Sequence, residues 1–150
     1  MLPDDPMMGH ILRGMLMVGA TGVIQVVAQY ALSHLMDALP SPPESRFPRF
    51  FMLTHSVGAV MILLVGHVLQ VLLWAMLYFY DWHAFTRFGD AVYFSLASFT
   101  TLGASELSLP INHRMIGAFE SAAGVMMFGW STALLVAVVV RTDHKRRPLP

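Results

Sequence analysis

Cysteine is absent from the chain. That excludes a disulfide framework and any thiolate metal site, and it leaves the redox compartment unmarked. Charge is scarce as well. Only 12% of the residues are Asp, Glu, Lys or Arg, against roughly 25% in a soluble domain. Nine basic residues balance nine acidic ones, so the chain has no excess of positive charge for a nucleic-acid partner. No trio of nucleophile, base and orienting group occurs, and neither does a His-Glu-x-x-His spacing. An enzyme is therefore not expected. Internal repeats and low-complexity domains are also missing. The twelve methionines are scattered without ligand spacing and suit adaptable apolar packing.

What the chain has in quantity is apolar residues, 56% of 150. A helix needs about 20 mostly apolar residues to cross the hydrocarbon core of a membrane. Three stretches qualify: about Ile11 to Leu39, Phe51 to Tyr80 and Met115 to Val140. The first is not expected to be a signal peptide, since Asp4 and Asp5 stand where a basic leader would be and the apolar run is too long. The proline-rich segment from Pro40 to Pro48 cannot continue a helix and serves as a connector. Between the second and third stretches, Asp90 is a good N-cap residue. The apolar run Ala91 to Phe99 after it is too short to span. Such a segment either re-enters the membrane, shielded by protein or lining water, or lies on its surface as an amphipathic helix.

Basic residues in short loops mark the cytoplasmic side. Arg46 and Arg49 follow the first stretch, and Arg141, Lys145, Arg146 and Arg147 follow the third. With three crossings these two segments share a side. The expected topology is a multi-pass protein of the cell membrane with its N-terminus outside and its C-terminus cytoplasmic.

After the short helix comes Thr100-Thr101-Leu102-Gly103-Ala104-Ser105-Glu106. This resembles the selectivity filter of the potassium-channel pore family, whose usual form is Thr-Thr-Val/Leu-Gly-Tyr-Gly-Asp. The Tyr93-Phe94 pair upstream is similar to the family's pore helix. Downstream, Arg114, Ala123-Gly124, Phe128-Gly129 and Thr132-Ala133 fall at the spacing of its inner helix, and His67 to Trp74-Ala75 looks like its outer helix. The likeness covers about residues 60 to 140.

The resemblance implies an all-α membrane protein. Three transmembrane helices would carry a re-entrant pore helix and filter loop between the second and third. Residues 1–50 would be an extra N-terminal transmembrane helix and its connector, residues 51–141 the pore module, and residues 142–150 a short basic cytoplasmic tail. Four copies would surround one pore. The implied function is passive conduction of a monovalent cation, potassium or else sodium, through rings of backbone oxygens that replace its hydration shell. The partners would be three more copies of the chain and membrane lipid, with no small-molecule substrate, cofactor or resident metal. Because the chain ends at Pro150, no ligand-binding regulatory domain is expected.

The filter residues would be Thr100, Thr101, Leu102, Gly103, Ala104 and Ser105, with Asp90 capping the pore helix. The departure from the family lies at Ala104-Ser105-Glu106. Serine resists the left-handed conformation that the family's second glycine adopts, and alanine cannot brace the outer filter as tyrosine does. Four Glu106 carboxylates would ring the outer mouth. Weakly selective conduction and a non-conducting scaffold or accessory subunit therefore stand as alternatives.

Glu120, one turn into the third stretch, reads either as a cation-attracting carboxylate or as a structural group bonded behind the filter, since an intramembrane acid faces protein or water. Gly124 and Gly129 read as close-packing points or as a gating hinge, and the resemblance favours the hinge at Gly124. His67 is a conceivable proton sensor, although a neutral bond to a neighbouring helix is the commoner role. Gln25 and Gln29, one turn apart, suit helix–helix contacts.

Overall fold

A computed structural model describes residues 6–38, 48–104 and 106–144. The connector carrying Arg46, the filter residue Ser105 and the basic tail from Lys145 onward lie outside the described residues, and so does the side chain of Arg49. Among the described residues the prolines are Pro6, Pro48 and Pro110, and none falls in the interior of a long helix. Pro6 and Pro48 instead stand at first helical positions, where a missing N–H is harmless. The helices are α1 (Pro6–Ala38), α2 (Pro48–Met76), α3 (Phe88–Phe99) and α4 (Arg114–His144). A π turn, Leu77–Asp81, ends α2, and a short 3₁₀ turn, Ile111–His113, leads into α4. The π turn is closed by the Trp82 amide donating to the Leu77 carbonyl at 3.3 Å. Three helices are long and apolar enough to cross a membrane, and α3 is not among them. The re-entrant expectation is met in geometry: α3 packs between α2 and α4 and belongs to their core.

The three long helices run alternately. Arg13 of α1 lies 4.0 Å from Asp81 at the hairpin end, and Asp37 lies 2.6 Å from Arg141 at the other. The N-terminal end of α1 and the α2–α4 hairpin thus share one end of the molecule.

Polar side chains fasten α1 inside the apolar layer. Trp74 Nε1 donates to Thr21 Oγ1 at 3.0 Å. Gln25, Ser131, His67 and Gln70 close a ring, each a neighbour of the next at 2.9, 3.0, 3.3 and 3.0 Å. One arrangement satisfies all four. Gln25 donates to Ser131, Ser131 to His67 Nε2, His67 Nδ1–H to Gln70, and Gln70 back to Gln25. His67 is thus hydrogen-bonded to Ser131 of a neighbouring helix, as the commoner reading expects. Gln29 accepts from Trp130 Nε1 at 3.0 Å. Interhelical bonds of this kind are worth about 0.6 kcal/mol each in a bilayer, so their number matters more than any one of them.

Candidate functional site

The short helix α3 begins earlier than Asp90. Its N-cap is Arg87, in extended conformation, and Phe88 is the first helical residue. The expectation that Asp90 caps it is corrected: Asp90 sits in the first turn, its own amide donating to the Arg87 carbonyl at 3.1 Å. The cause is aromatic packing. Phe88 is held edge-on to Phe79 at 5.5 Å and beside Tyr80 at 6.4 Å, which draws the helix start three residues upstream. An acid in the first turn still suits the positive end of the helix dipole.

At the other end α3 is clamped hard. Phe99 is buried, and Gly124 of α4 lies so close to it that a Cβ there would overlap the Phe99 carbonyl oxygen. Ser121 Oγ donates to the Ser98 carbonyl at 2.8 Å. Gly124 is thus a close-packing point, and α4 passes through it unbroken. Gly129 is different: it is exposed, with open space where a Cβ would go.

The loop that follows has an unusual backbone. Thr100 is the C-cap, and its hydroxyl turns back to the Leu96 carbonyl at 2.7 Å. Thr101 then adopts φ +60°, which is rare for a β-branched residue and costs about 1–2 kcal/mol. Its amide donates to the Ser98 carbonyl at 3.0 Å, a bond of the kind that ends a helix on a left-handed residue. Gly103, at φ +77°, sends its amide to the Ala97 carbonyl at 3.0 Å. Two amides of the loop are therefore spent on the helix end. Among the described residues no hydrogen bond ends on the carbonyl oxygens of Thr101, Leu102 or Gly103. Thr100 to Gly103 are exposed on the protomer, Leu102 to 78%. A peptide run with exposed, unbonded carbonyl oxygens can coordinate a cation.

Beyond Gly103 the chain returns toward the core. Ala104 and Leu107 are partly buried against it, Leu109 is fully buried, and Glu106 is exposed. Of the aromatic pair on α3, Phe94 is buried while Tyr93 faces outward.

Glu120 is the deepest charged residue type in the site, 0% exposed. Tyr78 Oη donates to its Oε2 at 2.6 Å. Ser95 Oγ lies 2.5 Å from its Oε1 and 2.8 Å from the Val71 carbonyl oxygen. One carboxyl group thereby ties the end of α2, the middle of α3 and the start of α4 together behind the loop. These bonds and this burial are what the structural reading of Glu120 expects. Tyr78, Ser95, Ser121 and Leu109 were not singled out by the sequence. Only Leu109, an apolar residue stranded before Pro110 in a polar loop, carried a local signal.

A family model described as "Ion channel" matches residues 60–141, more than half of the chain. The match takes in α3, the loop and α4 and leaves α1 outside. No curated protein and no solved structure matches the chain significantly.

Proposed function

Since this chain belongs to that ion channel family, which has a potassium-channel-like pore domain, we propose that it conducts monovalent cations passively as a homotetramer. Residues 100–106 would form the filter and α4 the inner vestibule. The observation that carries this reading is the row of carbonyls at Thr101, Leu102 and Gly103, unbonded among the described residues and exposed on a loop whose Thr101 and Gly103 amides are bound to the end of α3. One chain offers a quarter of a coordination ring, and non-helical backbone cannot face lipid bare. Three further copies would cover the loop and complete the ring. A second exposed feature agrees with this. Ala118, Ala122, Val125, Gly129, Thr132 and Val136 share one uncovered face of α4, the alternation of three and four residues that places side chains on one side of a helix. In the tetramer this small, weakly polar face would surround the water-filled path.

Discrimination between potassium and sodium is the finer question. The inner sites, Thr101 to Gly103, keep the family's residue types. Ala104 lacks a ring to brace the outer turn, and exposed Glu106 would gather cations of either kind by salt-screened attraction. Conduction that favours potassium weakly is the expected behaviour.

The test is ion flux into vesicles holding the purified protein, then bilayer recording with potassium on one side and sodium on the other. Expected are cation flux, modest potassium preference, and sharper preference when Ala104→Tyr is combined with Ser105→Gly. Glu106→Gln should lower conductance mainly at low salt. Strong rejection of sodium by the unaltered protein would refute the weak-selectivity reading, and no flux from either version would leave a non-conducting scaffold.

A further inference from the structure

The contacts of Glu120 hold more oxygen atoms than an ionised carboxylate can satisfy. Ser95 has one hydroxyl proton, yet its Oγ lies at hydrogen-bond distance from two acceptors, Glu120 Oε1 at 2.5 Å and the Val71 carbonyl at 2.8 Å. If Glu120 were ionised, one of these contacts would set lone pair against lone pair. Tyr78 cannot supply the missing hydrogen, because its own proton goes to Oε2. No cation is available to balance a negative charge either: among the described residues no Lys, Arg or His pairs with Glu120. The groups facing it from the end of α2 and from α3 are hydroxyls, and its side chain is sealed from solvent. An unpaired carboxylate in such a place is strongly disfavoured.

One added proton resolves every contact. We propose that Glu120 is a neutral carboxylic acid in the folded protein and acts as a positioning residue for the filter. Its Oε1–H donates to Ser95 Oγ, Ser95 donates to the Val71 carbonyl, and Tyr78 donates to the carbonyl oxygen Oε2. The chain of donors then runs from α4 through α3 to α2. It fixes the rotation of α3 about its own axis, and with it the place where the loop of Thr100 to Gly103 leaves the helix. A charged residue at this spot would put four negative charges behind the filter of a tetramer, whereas the neutral acid adds none. The positioning role rests on the function proposed above; the proton does not.

The proton is read by infrared difference spectroscopy on the full chain in lipid bilayers at neutral pH. The expected result is a protonated-carboxyl C=O band that is present in the unaltered protein and absent from Glu120→Gln. Tyr78→Phe should move that band to higher frequency, since the carbonyl oxygen loses its donor. Absence of the band from the unaltered protein would overturn the proposal, and that reading needs no variant to fold. The positioning role is read by rescue. Glutamine reproduces the donor to Ser95 and the acceptor for Tyr78, so Glu120→Gln should keep the tetramer and within about twofold of its flux. Glu120→Asp, one methylene short, should give about tenfold less assembled tetramer, as expected for a lost buried hydrogen bond. Equal damage from glutamine and aspartate would refute positioning while leaving the band intact. A protein that shows the band and the assembly pattern but carries no flux would refute conduction alone.

Discussion

Gly124 and Gly103 are glycines for different reasons, and the difference can be measured. At Gly124 the obstacle is space, because an added Cβ meets the backbone carbonyl of Phe99 and no flexible side chain can move aside. Overpacking of this kind costs about 1–3 kcal/mol. At Gly103 nothing lies within 4 Å, but φ is +77°, and the penalty is the left-handed one of about 1–2 kcal/mol. Gly124→Ala should therefore lower the thermal midpoint and push α3 off α4, with flux lost as a consequence. Gly103→Ala should leave assembly near normal and reduce flux alone, and Gly103→Asn should be milder, since asparagine tolerates that conformation. Thermal unfolding in detergent beside vesicle flux reports both. A normal midpoint in Gly124→Ala would contradict the contact. From the sequence both positions are simply glycine; which of them guards a close approach depends on a residue 25 positions earlier, Phe99, and no local pattern encodes that.

At the scale of elements, the three long helices and the short one were legible because apolar length alone sets them. Their ends were less so. The start of α3 was displaced by the aromatic contacts of Phe88, which lie in the fold rather than in the capping preferences of Asp90. The attachment of α1 was legible only as polar residues in want of partners. Gln25 is a visible anomaly in an apolar run, but Ser131, 106 residues away, carries no mark of being its partner. The hairpin end of α1 should respond to pH. His113 stacks on Trp82 at 4.4 Å and meets His10 edge-on at 5.2 Å. Burial, then the neighbouring His10 and Arg13, hold the His113 pKa below its usual 6.5 against the opposing pull of Asp81. The fold therefore favours the neutral ring. This contribution is full above about pH 6.5 and is lost as pH falls through the lower value of the folded state. Acidification should loosen the end of α1 near His10, and protonation of the stacked ring should quench Trp82. The quenching is measured as the emission difference between the protein and Trp82→Phe, and it should vanish in His113→Gln. Emission that is flat through the same range in the unaltered protein would show that this contact does not titrate.

For the whole molecule the decisive quantity is which way it lies. The basic residues predict Ser108 outside and Thr142 in the cytoplasm. The alternating helices put those two positions at opposite ends of α4, whichever end is out. Single cysteines at Ser108 and Thr142, on a chain that has none of its own, should react with an impermeant reagent from opposite sides, Ser108 from without. Reaction of both from one side would end the three-span topology, and reversal of the two would overturn the orientation. The number of long apolar helices was readable because crossing a membrane reduces to apolar length. The depth of Glu120 was readable too, but not its two hydroxyl neighbours, since Tyr78 looked like one more aromatic at a span end.

The wide turn at Leu77–Asp81 gives this plan some slack. A turn that closes from Trp82 back to Leu77 holds one residue more than an α-helical turn would. Removing exposed Tyr80 would tighten it to ordinary pitch, and Tyr78 and Trp82, now four apart, would become three apart, still on one face. The chain can therefore lose a residue here without turning Tyr78 away from Glu120.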